Sequence, residues 1–194
     1  MCRISLRLFL PLLAVALTSL GQAQDEKEVW TQWYSETLGV LFLSMGKPVE
    51  EVVEYRGALA EKAAQPVAVG FNVGDTEFSV ARLKLNDGET LTPKQVLDLR
   101  LAVPRAKAPD FKVKDEKEMS DSDFPCAQNW CEYTGPDEVL VSRKLLVIGN
   151  KSDIWILEAV GLTSLEGREA ASKFFDSVRM DLEGKIKPGS KKST

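Results

Sequence analysis

Hydrophobic positions recur most regularly between residues 138 and 180. Val139-Leu-Val-Ser-Arg-Lys-Leu-Leu-Val-Ile148 and Ile154-Trp-Ile-Leu-Glu-Ala-Val160 are two aliphatic runs separated by Gly149-Asn150-Lys151-Ser152-Asp153. Gly and Asn adopt positive φ at low cost, so this junction predicts an antiparallel hairpin. Neither run alternates cleanly, which predicts central strands covered on both faces. Arg143, Lys144 and Glu158 interrupt the apolar pattern and are expected near strand ends or beneath long neighbours. Thr163-Ser-Leu-Glu166 has the spacing of a capping box. Leu165, Ala171, Phe174, Phe175, Val178 and Leu182 then fall on one face of a helix.

Upstream, Val29-Trp30-Thr-Gln-Trp33-Tyr34 and Gly39-Val-Leu-Phe-Leu43 predict a strand pair stopped by Gly46-Lys47-Pro48. Val49–Lys62 carries competing signals, strand-like from Val49 to Tyr55 and helix-favouring from Ala58 onward. Pro66–Val73 and Thr76–Leu85 flank Gly74-Asp75 and predict a second hairpin. Thr92-Pro93-Lys-Gln95 offers a cap, a proline suited to the first helical position and a glutamine that completes the box. Leu97, Leu99, Leu101 and Val103 alternate as in a strand, but the start signal decides for a helix, ended by Pro104. Phe111–Glu116 predicts an edge strand guarded by lysines. Met119–Asp123 reads as a polar turn, and Phe124–Thr134 as a further strand or loop before Gly135-Pro136. The resulting class is α+β, an antiparallel sheet of about six to seven strands covered by helices.

The two ends change the picture. Arg3 and Arg7 precede the apolar run Leu8–Leu20, and Gly21-Gln22-Ala23 leads into charged residues. This is the form of a secretory signal cleaved after Ala23. The run is shorter than the roughly 20 residues a membrane span requires. Residues 1–23 are thus read as a signal peptide, 24–182 as a single domain and 183–194 as a basic, disordered tail. Loss of Arg3 and Arg7 moves the net charge from −4 to −6, so there is no electrostatic reason to bind nucleic acid. A chain so processed is secreted or periplasmic, with no membrane span after cleavage.

Candidate chemistry is sparse. The chain has no histidine, which removes Ser-His-Asp and Cys-His catalysis and the commonest zinc ligand. No nucleotide-binding loop or nucleophile elbow is present. No catalytic residue, cofactor or metal is nominated. Cys126 and Cys131 are the cysteines left after processing. An oxidising compartment favours a structural disulfide between them. Two reduced thiols and a redox-active pair remain the alternatives. In an extended strand five steps span roughly 16 Å, against the about 4.4–6.8 Å a disulfide needs, so pairing requires Ala127–Trp130 to turn or bulge. Trp30, Trp33 and Tyr34 either form an aromatic binding surface or cap one end of the core. Asp110, Asp115, Glu116, Glu118, Asp121 and Asp123 are interleaved with lysines and read as a solvated face, not a calcium site. Glu50, Glu51 and Glu54 have no second carboxylate placed opposite them.

Three features resemble the PsbP-like superfamily. They are Trp33-Tyr-Ser…Gly39-Val-Leu-Phe…Pro48, Arg143…Gly149-Asn…Ile154-Trp-Ile-Leu-Glu-Ala, and Phe174-Phe-Asp-Ser-Val-Arg179. Each is a packing pattern and none is a reactive-site motif. The resemblance implies an α/β/α sandwich and a role in binding other proteins, with no shared catalytic residue to carry over. An exported, non-catalytic binding or accessory protein with an envelope partner is the expectation. The alternatives are an enzyme of unfamiliar type, by thiol redox or carboxylate-dependent hydrolysis, and a small-ligand carrier.

Overall fold

A computed structural model describes residues 29–181 apart from 54, 56, 120–123 and 151–152. The proposed signal peptide, the basic tail, Leu182, Glu54, Asp121, Asp123 and most of the expected polar turn lie outside the described residues.

The chain opens with the predicted strand pair, β1 (Trp30–Ser35) and β2 (Val40–Met45). The ambiguous stretch divides into β3 (Val49–Val52) and a short helix, α1 (Ala58–Lys62). β4 (Val67–Val73) and β5 (Thr76–Lys84) form the hairpin around Gly74-Asp75. Next come α2 (Pro93–Lys107), β6 (Lys112–Met119) and β7 (Cys126–Thr134). The organising stretch supplies β8 (Leu140–Asn150), β9 (Asp153–Val160) and α3 (Leu165–Ser177), and β10 (Arg179–Met180) ends the described chain.

Seven strands form one antiparallel sheet in the order β3-β4-β5-β9-β8-β7-β6, with β9 and β8 central, as their largely apolar, non-alternating runs predict. A second sheet, β1-β2-β10, has no counterpart in the sequence reading beyond its first pair. On β9 the side chains alternate between two cores. Ile154 and Ile156 join Leu83, Val96, Leu97, Leu101, Leu145 and Val147 beneath α2. Trp155, Leu157 and Ala159 join Phe42, Phe71, Phe78 and Phe174 beneath α3 and the small sheet. The Trp155 Nε1–H donates to the Leu38 carbonyl at 2.9 Å and pins the β1–β2 turn to the large sheet.

Two helix boundaries depart from expectation. Thr92 and Gln95 form the predicted capping box, but the helix runs through Pro104 to Lys107. Proline arrives in the last turn, where it removes one donor, and the Ala108 N–H closes the end onto the Pro104 carbonyl at 2.9 Å. In α3 the cap is Ser164 instead of Thr163: the Ser164 hydroxyl accepts from the Gly167 N–H at 3.0 Å, while the Thr163 N–H is held by the Gly161 carbonyl at 2.8 Å. The buried face is correspondingly Gly167, Ala170, Ala171 and Phe174, with Leu165 left 67% exposed.

Gly167 is where α3 comes closest to the sheet. A Cβ there would lie 2.2 Å from Thr76 Oγ1, and that hydroxyl donates to the Gly161 carbonyl at 3.2 Å. Gly→Ala ordinarily favours a helix by up to about 1 kcal/mol. Here Gly167→Ala is expected to destabilise by about 1–3 kcal/mol through overpacking. A denaturant midpoint equal to or above that of the parent would refute the close approach.

Candidate binding site

α2 lies across β7 and β8, and on the same sheet face Leu83 of β5 is covered while the part of β3, β4 and β5 around Gly70 and Ser79 lines an open groove. Val49, Gly70, Ser79 and Glu158 stand in one row across that half. A Cβ at Gly70 would crowd the Phe78 carbonyl at 3.1 Å, so a larger residue there would have to shift the neighbouring strand slightly. With a glycine and a serine in the row, the surface sinks into a groove of about 530 Å³, also lined by Lys47, Glu51, Asn72 and Glu77. A second groove, of about 590 Å³, lies against the other face of β3. Its lining includes Trp33, Tyr34, Glu36, Thr37, Lys47 and Glu50. The Thr37 hydroxyl donates to Glu50 across it at 3.5 Å. β3 is thus a ridge between two open grooves.

The inner end of the first groove is closed by an ion cluster. Arg143 Nε and Arg100 Nη2 lie 2.5 and 2.8 Å from the two oxygens of Glu158, and the Arg100 guanidinium stacks 4.9 Å over the Tyr55 ring. Burial pushes the Glu158 carboxyl up, but the two guanidiniums outweigh it and hold the group below the ordinary range. Burial pushes the Tyr55 phenol up to about 12, so it stays neutral beside them. Of the two placements expected for Arg143 and Glu158, near strand ends or beneath long neighbours, the second holds: both lie on the central strands beneath Arg100. The available signal was their diagonal placement on one face of the β8–β9 hairpin, which pairs Arg143 with Val160 and Leu145 with Glu158. Lys144 faces the other way, 4.6 Å over Phe175.

The aromatic trio separates. Trp30 packs edge-on to Phe71 at 6.1 Å beneath Lys173, a core-capping position. Trp33 and Tyr34 line the second groove, and the Tyr34 phenol donates to Asp181 at 3.0 Å.

The disulfide expectation is also corrected. Cys126 and Cys131 are free thiols at opposite ends of one unbroken stretch of β7, where every residue from Cys126 to Thr134 pairs with β8. The turn a bridge requires is absent, and five steps along a strand point the two side chains to opposite faces. Burial pushes the Cys131 thiol up to about 11 despite nearby Arg143 and Arg105, so it stays protonated at neutral pH and is a poor nucleophile. Ellman titration of the processed chain is expected to find two thiols in denaturant without reductant, with Cys131 unreactive in the native state. Finding none in denaturant would restore the bridge.

Asp110, Asp115 and Glu116 of the acidic stretch are engaged in other contacts. Asp110 accepts from the Thr134 amide and hydroxyl, and Asp115 from Gln128. Glu116 accepts from Asn129 and meets Lys94 and Arg105 of α2. Glu50 and Glu51 lie on β3, with one facing each groove.

No family model and no curated protein matches the chain by sequence. Among solved structures it is similar to cyanobacterial PsbP (CyanoP) from Synechocystis sp. PCC 6803, with a TM-score of 0.55 and 13% identity over 84% of this chain and 98% of that one. The chain has a PsbP-like fold. The likeness spans nearly the whole of the cyanobacterial protein and extends to fold, since the identity is too low to transfer a site. No helix among the described residues is long and apolar enough to cross a membrane.

Proposed function

We propose that this chain is an exported, non-catalytic binding or accessory protein. The observation that carries the reading is the pair of solvent-open grooves flanking β3. The carboxylate nearest to a reactive setting supports it as well. Glu158 is held as an anion by Arg100 and Arg143, whereas a general acid at neutral pH needs a raised pKa. Export rests on the N-terminal pattern of residues 1–23, and the mature chain begins at Gln24. Crosslinking in the native host, followed by purification and mass spectrometry, is expected to return one stoichiometric envelope partner and a Gln24 terminus. An uncleaved chain would overturn the export reading, and no partner at any crosslinker length would overturn the accessory role.

A second reading has one specific support, because Trp33 and Tyr34 both line the second groove. A small-ligand carrier would show a change in tryptophan fluorescence with its ligand. A flat response across lipids and metabolites would remove it.

A further inference from the structure

We infer that the outer edge of β3 receives an extended segment of a partner protein with the pattern apolar-basic-basic-apolar, added as an eighth strand of the large sheet. This names the partner chemistry for the binding role proposed above and rests on that reading.

The large sheet has two edges, and the sequence treats them differently. β6 carries Lys112, Lys114 and Lys117 and a register shift between Val113 and Asp115. Lysines and irregularities of this kind discourage strand addition. β3, Val-Glu-Glu-Val, is short and carries two glutamates, which oppose addition of a neutral or acidic strand, but it has no lysine, proline or bulge within it and pairs in unbroken register with β4 alone. Antiparallel pairing directs half of its backbone groups to β4 and leaves the other half pointing outward. Its apolar ends are largely uncovered, with Val49 60% and Val52 71% exposed.

The side chains specify what fits. Successive residues of a strand point to opposite faces. Val49 and Glu51 therefore face the first groove, and Glu50 and Val52 the second. Each side offers one apolar and one acidic position to an incoming strand. Directly opposed side chains interact best as apolar with apolar and acid with base. The complement of Val-Glu-Glu-Val is therefore apolar-basic-basic-apolar. Since Val-Glu-Glu-Val reads the same in both directions, that complement holds for a parallel or an antiparallel partner. Glu36 and Glu77 add negative charge, one in each groove, against Lys47, the single cation among the described lining residues apart from the ion cluster. Backbone pairing supplies affinity in this mode, and alternate side chains supply specificity.

The test uses the processed chain, residues 24–194, and a capped peptide Ser-Thr-Val-Lys-Lys-Val-Thr-Ser. Saturable binding is expected, with amide shifts and slowed exchange centred on Val49–Val52 and weakening as salt rises. Glu50→Lys/Glu51→Lys is expected to weaken binding by about tenfold or more, with the melting temperature little changed, because both side chains are exposed and the Thr37–Glu50 bond that is lost is a long, exposed one. A peptide carrying Val-Glu-Glu-Val should not bind. No binding at millimolar peptide, binding indifferent to the double substitution, or shifts centred on β6 would each overturn the inference. Binding seen only after residues 183–194 are removed would assign the edge to the chain's own lysines and overturn the partner. The native-host crosslink separates this inference from the broader reading. A partner retained by the double variant refutes the β3 surface alone, and no partner with the parent chain refutes the binding role.

Discussion

Phe174→Ala is expected to lower the unfolding free energy by about 3–5 kcal/mol, the range for emptying a buried aromatic site. For a domain of this size that is a fall in melting temperature of about 6–20 °C. Phe174 is fully buried, and its ring lies 5.3 Å from Phe78, 5.6 Å from Phe71 and 6.1 Å from Phe42. Those three rings come from β5, β4 and β2, so one side chain joins α3 to both sheets. The edge-on geometry adds about 0.5–1.5 kcal/mol per aromatic pair beyond area burial. Relaxation cannot fill the space easily, because Gly167 holds the helix against Thr76. Phe175→Ala is the control. Phe175 is only partly buried and packs on the cluster from outside, so its loss should cost less than half as much. Thermal melts of the two variants that coincided would show that Phe174 is not the centre of this core.

Phe174 was legible in the sequence because it belongs to a local helical period next to a well-marked hairpin. The same holds for β8 and β9, whose length, turn residues and largely apolar, non-alternating character place them at the centre of a sheet. Signals that compete within a few residues were less informative. Val49–Lys62 resolves into four strand residues and five helical ones, each too short for its period to show. Pro104 predicted an end that the last turn of α2 tolerates. Ser164 displaced Thr163 as cap by accepting from the Gly167 N–H, a choice between two adjacent hydroxyls that their spacing does not make. The grooves were not legible at all, because they depend on where α2 stops covering the sheet and on the register that aligns Gly70 with Ser79. The cysteines show the same limit. Their spacing left a turn open, and pairing along the whole of β7 closes that possibility.

Glu158→Gln tests the other long-range feature. The substitution keeps shape and removes the anion between Arg100 and Arg143, whose side chains are 21% and 10% exposed. Leaving buried cations without their partner costs about 3–5 kcal/mol, so the variant should unfold at markedly lower denaturant with an unchanged slope. Because Glu158 is more acidic in the folded chain than in the unfolded one, its contribution is fully present above the unfolded value of about 4.3. It is lost as pH falls through the folded value. The stability gap between parent and variant should therefore be widest near neutrality and close in acid. Arg143→Met in the Glu158→Gln background should cost less than in the parent, since the cation it removes is already uncompensated. Equal costs in both backgrounds would mean that the two groups stabilise the sheet independently, and a gap that stayed constant from pH 7 to pH 3 would mean that the charge of Glu158 contributes nothing.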